Sequence, residues 1–175
     1  RLEKTQKEHH ETVEYLRRGD DGDGDEDEVA AMLDAASRRS LRDYLITRLM
    51  LETGVRVSEL VSIKLDDIEQ DDRSIRIVNA KTSKYERDEE RTVYYKQQTQ
   101  TILDRYLRSR SSRYLSASDS EYLIVGKRTD QLNEFRVNQI IKEIADSAGV
   151  QEVIYTDNSG RERKRVTAHT LRKTY

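Results

Sequence analysis

TGVRVSEL, residues 53–60, sets a glycine and then an arginine between two apolar patterns of helical period. Upstream, Val29, Met32, Leu33 and Ala36 share one helical stripe, and Leu41, Tyr44, Leu45 and Leu49 share the next, so residues 26–53 predict two successive helices. Gly54 stands where a helix stop wants a residue that tolerates positive φ. Downstream, VRVSELVSIKL (55–65) predicts a short helix closed by Asp66 and Asp67. Arg56 is thereby held at a tight connection and not in mid-helix.

Further along, SIRIVNAK (74–81) alternates polar and apolar residues as a half-buried strand does. RTVYY (91–95) answers it across the polar turn KTSKYERDEE (81–90), which makes a hairpin with Lys81 on the lip of its turn. Ile102, Leu103, Tyr106 and Leu107 mark an amphipathic helix, EYLIV (121–125) a short strand or buried run, and Val137, Ile140, Ile141 and Ile144 a helix stopped by Gly149. EVIY (152–155) and RKRVT (163–167) predict a second small hairpin around DNSG. Thr167 is then placed to cap a final helix holding His169 and Arg172. The sum is an α+β chain, mainly helical, with helices around a small antiparallel sheet. Residues 1–25 read as a helical stub and acidic linker, and 26–175 as one domain.

Composition narrows the function classes. The 175 residues hold no Cys, which excludes a disulfide framework and a thiolate zinc site and favours a reducing, cytoplasmic setting. No run approaches the roughly 20 apolar residues of a membrane span. The net charge of −2 conceals an asymmetry. GDDGDGDEDE (19–28) is acidic, whereas RERKRVTAHTLRK (161–173) clusters cations and RYLRSRSSRY (105–114) clusters them among tyrosines, a pattern that suits either a phosphate backbone or a solvated helix face. A calcium loop is excluded in the acidic stretch: counted from Asp21, Glu26 falls where the turn glycine belongs and Met32 where a bidentate Glu belongs.

His169 and Arg172, three apart, project from one face of the final helix. With Arg56 and Lys81 they assemble two guanidiniums, an imidazole and an ammonium, a set that grips a phosphate through planar forks and supplies a proton to its leaving oxygen. No carboxylate cluster offers a magnesium pair, so the cations themselves would neutralise the developing charge. Each signal alone is weak, since a lone helical His or an exposed Arg is usually a surface residue. The combination and its order carry the argument.

At these residues the chain resembles the tyrosine recombinase (phage integrase) family. TGVRVSEL, the strand–hairpin lysine in NAKTSKYERDEERTVYY, and AHTLRKTY are similar to that family's three boxes, in order, from about Glu26 to Tyr175. The resemblance implies a mostly helical catalytic domain that binds double-stranded DNA and exchanges strands through a 3′-phosphotyrosyl link, without metal or nucleotide cofactor. It implies that Arg56 and Arg172 hold the non-bridging phosphate oxygens, that His169 hydrogen-bonds the phosphate and assists proton movement, and that Lys81 is the general acid. Glu59 becomes the partner that steadies Arg56, and Lys84, Arg91 and Lys173 become DNA contacts. A tetramer on DNA is implied for the full-length protein.

Two departures qualify the match. The hairpin tip is longer and more acidic than the family's compact turn, so Lys84 competes with Lys81 as the acid. The family also places a His or Trp, and then its nucleophilic tyrosine, some helical turns beyond the final box. Tyr175 follows the box directly and reads as a packing aromatic, so the chain is expected to be a piece of a longer protein and inactive for cleavage as it stands. The alternative is a non-catalytic DNA-binding protein of the same fold, which would tolerate substitution of Arg56. A purely structural helical domain would bind DNA without a steep salt dependence.

Overall fold

Ser40 divides the first helical stretch. Its side-chain oxygen accepts from the Asp43 N–H at 3.1 Å, which starts a new helix one residue after the previous one ends. In the computed structural model, which describes residues 24–78 and 90–174, the two helices are α1 (Gly24–Arg39) and α2 (Leu41–Thr53). Gly54 ends α2 in the left-handed region at φ 60°, with its N–H returned to the Met50 carbonyl. Then come α3 (Val57–Ser62), a 3₁₀ turn at Leu65–Asp67, and the strands β1 (Ile68–Glu69), β2 (Ser74–Val78) and β3 (Glu90–Tyr94). After α4 (Gln97–Arg113) and α5 (Glu134–Ser147), β4 (Val153–Thr156) and β5 (Glu162–Lys164) lead into α6 (Ala168–Thr174).

Both hairpins expected from alternation pair antiparallel, β2 with β3 and β4 with β5. The sheet gains a third strand that periodicity could not show, because β1 is two residues long and joins only through its pairing with β2. EYLIV is a buried run: only Tyr122 bridges, to Lys64, while Leu123, Ile124 and Val125 are buried. The segments expected as helical stub and most of the acidic linker (1–23), the hairpin tip with Lys81 and Lys84, and Tyr175 lie outside the described residues.

The core is organised around α2, whose Leu45, Ile46, Leu49 and Met50 are at most 1% exposed. A helix buried on most of its circumference must be clasped on several sides, and α1, α4 and α6 pack against it. α5 contributes Val137, Ile140, Ile141 and Ile144, all fully buried, as its spacing predicted.

The basic stretch RYLRSRSSRY divides by face in a way that charge alone did not reveal. Arg105, Arg108 and Arg113 are exposed, but Arg110 is buried and donates to the carbonyls of Ala117, Ser120 and Tyr122 at 2.7, 3.0 and 2.6 Å. Tyr106 and Tyr114 are buried too, their rings 6.3 Å apart. Arg110 therefore staples the chain after α4, because three carbonyls leaving a helix end need donors that no strand supplies.

Candidate functional site

Arg56 sits at the junction the sequence marked, immediately before the first turn of α3. Glu59, three residues on, reaches back to accept from the Arg56 N–H at 2.7 Å, and Leu60 N–H bonds the Arg56 carbonyl at 2.9 Å. The side chains also meet, Arg56 Nη1 lying 3.4 Å from Glu59 Oε1. The guanidinium stays 54% exposed over a carboxylate that is only 3% exposed. Backbone and side chain of Arg56 thus share one anchor, Glu59.

Glu59 has a second cation. Arg91, on β3, places Nη1 at 2.7 Å from Oε1 and Nη2 at 2.8 Å from Oε2, a fork on both oxygens. In the β2–β3 register Arg91 stands opposite Ile77, and its neighbours Glu90 and Thr92 are exposed while it and Val93 are partly buried. It therefore occupies the inward side of the strand, where an arginine requires a buried partner. Burial pushes the Glu59 carboxyl up, but the hydrogen bond from Arg91, that from the Arg56 N–H and the charges of Arg91 and Arg56 outweigh burial and hold it below the usual carboxylate range. The same hydrogen bond raises Arg91 further. The alternation of Arg91, Val93 and Tyr95 was the available signal for this pairing; the expectation for Arg91 was a DNA contact.

A parallel clasp was not foreseen at all. Asp67 accepts from the Lys64 N–H at 2.9 Å and from Arg76 Nε and Nη2 at 3.1 and 2.8 Å. Each of two neighbouring strands is thus locked by an arginine to a carboxylate that also caps a helical turn, which fixes the sheet relative to the Arg56 junction.

The other end of the site is α6. Thr167 starts it as expected, its Oγ1 accepting from the Thr170 N–H at 3.3 Å. Ala168 and Leu171 are buried at 0% and 2%, so the helix packs with those residues inward and turns His169, which is exposed, and Arg172, which is partly buried, to the other side. α6 packs against α2 and α5. Because α2 ends at Thr53 and leads through Gly54 to Arg56, one buried helix supports both boxes. Just before α6, Arg165 donates to Glu28 and to the Val150 carbonyl, each at 2.7 Å. Lys173 lies within α6, and the lysines of the hairpin tip stand outside the described residues. Among the described residues no group of His, Asp and Glu is placed to hold a metal ion. No described helix is long and apolar enough to cross a membrane.

Comparison with known proteins places these features in a family context. Residues 24–175 match the model of the phage integrase family. The chain is 30% identical over 153 residues to tyrosine recombinase XerA of Pyrococcus furiosus, covering 86% of this chain and 45% of that protein. It is 30% identical over 132 residues to tyrosine recombinase XerC of Staphylococcus saprophyticus, covering 73% of this chain and 42% of that protein. It spans a little under half the length of these curated relatives. Among solved structures, that of the XerA recombinase superposes with a TM-score of 0.66 at 28% identity, covering 85% of this chain and 46% of that one. The lambda integrase catalytic core shares the fold, with a TM-score of 0.55 at 19% identity over 85% of this chain and 80% of that one.

Proposed function

Because the chain belongs to the phage integrase family of tyrosine recombinases, we propose that the protein it represents is a site-specific DNA recombinase acting on duplex DNA. A tyrosine oxygen attacks the scissile phosphorus, the bond to the 5′ oxygen breaks, and that oxygen takes a proton from Lys81, or from Lys84 if the longer tip presents that residue. The attack leaves a 3′-phosphotyrosyl link, and a 5′ hydroxyl of the partner strand reverses it. Arg56 and Arg172 bind the non-bridging oxygens, where negative charge accumulates at pentavalent phosphorus, and His169 hydrogen-bonds the same phosphate and helps move the proton. Lys84 and Lys173 extend the cationic surface along the backbone. The chemistry needs no metal or nucleotide, and four subunits assemble on paired sites.

The observation that carries this reading is the Arg56 junction. Its guanidinium is half exposed while its backbone and side chain are both held by Glu59, on the connection that leads from the helix supporting α6. Relatives and structural neighbours named as tyrosine recombinases support the same conclusion.

The test is a covalent trap. The full-length gene product is incubated with a library of nicked duplexes, and adducts that survive detergent are isolated and sequenced. The wild type is expected to yield a phosphotyrosyl adduct, Arg172→Ala to yield none, and Arg56→Ala to form it on the order of 10² to 10³ more slowly. Tight, salt-sensitive DNA binding with no adduct would show a non-catalytic binder and overturn the proposal.

A further inference from the structure

We infer that Arg91 is a positioning residue for strand cleavage, which keeps Glu59 in place and thereby sets the geometry of Arg56 toward the phosphate. The inference rests on the recombinase reading above. It changes the part given to Arg91, from one cation among several along the DNA to the residue on which the Arg56 junction depends.

The argument begins with competition for one carboxylate. Glu59 has two oxygens, and both guanidiniums lie beside it. Arg91 holds the short bonds, 2.7 and 2.8 Å, one to each oxygen. On the same carboxylate Arg56 makes a 3.4 Å side-chain contact and one 2.7 Å bond through its backbone N–H. Glu59 thus grips the backbone of Arg56 closely and its guanidinium loosely. That division suits a clamp: a guanidinium spent on a tight bidentate carboxylate cannot present the same fork to a phosphate.

Charge balance leads to the same place. These three side chains, one buried carboxylate and two guanidiniums, carry between them one excess positive charge. Without Arg91 the carboxylate and Arg56 would neutralise each other, and the low-dielectric surroundings of a 3% exposed carboxylate would strengthen that pairing. Arg91 is well built for the task. Its inward place opposite Ile77, which is 1% exposed, fixes the side chain against the core, and its 38% exposure is less than that of Arg56. β3 is held in turn by β2, which Arg76 ties to Asp67.

The experiment uses Arg91→Met, which keeps about the apolar stem and removes the guanidinium, and Arg91→Lys, which keeps the charge but offers a single point donor. Single-turnover cleavage by the full-length gene product is measured at saturating duplex, and binding is measured as a function of salt. Arg91→Met is expected to cleave about 10²-fold more slowly at saturation, near the effect of losing one donor to the transition state. Its salt slope should match the wild type, and Arg91→Lys should recover part of the rate. In the 175-residue chain, carboxyl-carbon NMR should show Glu59 titrating at higher pH in Arg91→Met than in wild type.

The outcomes are distinguishable. A saturated rate in Arg91→Met equal to wild type overturns the inference, as does a salt slope lowered by about 0.9, the mark of a lost phosphate contact, with the rate intact. Unfolding of Arg91→Met shifts the decision to Arg91→Lys, whose wild-type rate and wild-type Glu59 titration together would also overturn it. If the wild type itself forms no covalent adduct, the recombinase reading fails and this role with it. An active wild type beside an equally active Arg91→Met defeats this role alone.

Discussion

Arg165 donates to Glu28 at 2.7 Å across 137 residues of sequence, joining the end of the β4–β5 ribbon to the first turns of α1. The same nitrogen donates to the Val150 carbonyl, and Thr167, two residues on, starts α6. The position of the His169–Arg172 face therefore depends on a cation that belongs to the scaffold.

Arg165→Ala should destabilise the chain by about 2 kcal/mol, since a mostly buried charged donor loses a carboxylate and a carbonyl together. For a chain of this size that is roughly a 4–8 °C lower midpoint in calorimetry. Glu28→Gln should cost under about 1 kcal/mol, because the glutamate is 41% exposed and solvent screens the pair.

Glu59 should make stability acid-sensitive. Its folded pKa is depressed, so its contribution is present above the ordinary Glu range and is lost as pH falls through the folded value. The difference in urea unfolding free energy between wild type and Glu59→Gln should accordingly be full near neutrality and shrink below about pH 4.3. A constant difference across that range would assign the effect to packing.

Arg110→Met should loosen the segment from Tyr114 to Tyr122 and cost about 3 kcal/mol or more, through three carbonyls left without their donor. The salt slope of DNA binding should not change, because Arg110 is 5% exposed. Arg105→Ala with Arg108→Ala should show the opposite signature, little change in stability and, if this face meets the backbone, a shallower slope.

Tyr95 and Tyr106 should ionise well above the ordinary tyrosine range. Burial pushes both hydroxyls up to about 12. Tyr106 donates to the Leu123 carbonyl at 3.1 Å and Tyr95 to Gln100 at 2.8 Å. Since the neutral form is the folded one, their contribution is complete below pH 10 and fades as pH rises toward 12. Absorbance titration of Tyr106→Phe should lose one late-ionising group, and the variant should be less stable by about 1 kcal/mol.

Local signals proved sufficient wherever one residue's neighbours in sequence are also its neighbours in space. The Gly54 stop and the Thr167 cap join residues within four positions, and both were legible; the Arg56–Glu59 pair was implied by the resemblance. β1 was not legible, because a two-residue strand has no period of its own. The burial of Arg110 was not legible, because whether an arginine faces water or carbonyls depends on which face of its element packs, and on what faces it from elsewhere.

By itself the sequence determined the succession of helices and hairpins, the caps between them and the order of the Arg56 and His169–Arg172 boxes, since period, turn residues and capping act over a few positions. Only the tertiary structure decided which cations are staples of the fold. Glu59 and Arg91 lie 32 residues apart and Arg165 and Glu28 lie 137 apart, and their pairing follows from the packing of elements whose sequences hold no record of each other's distance. Burial then makes those pairs strong, because a charge removed from water must find its partner inside the fold.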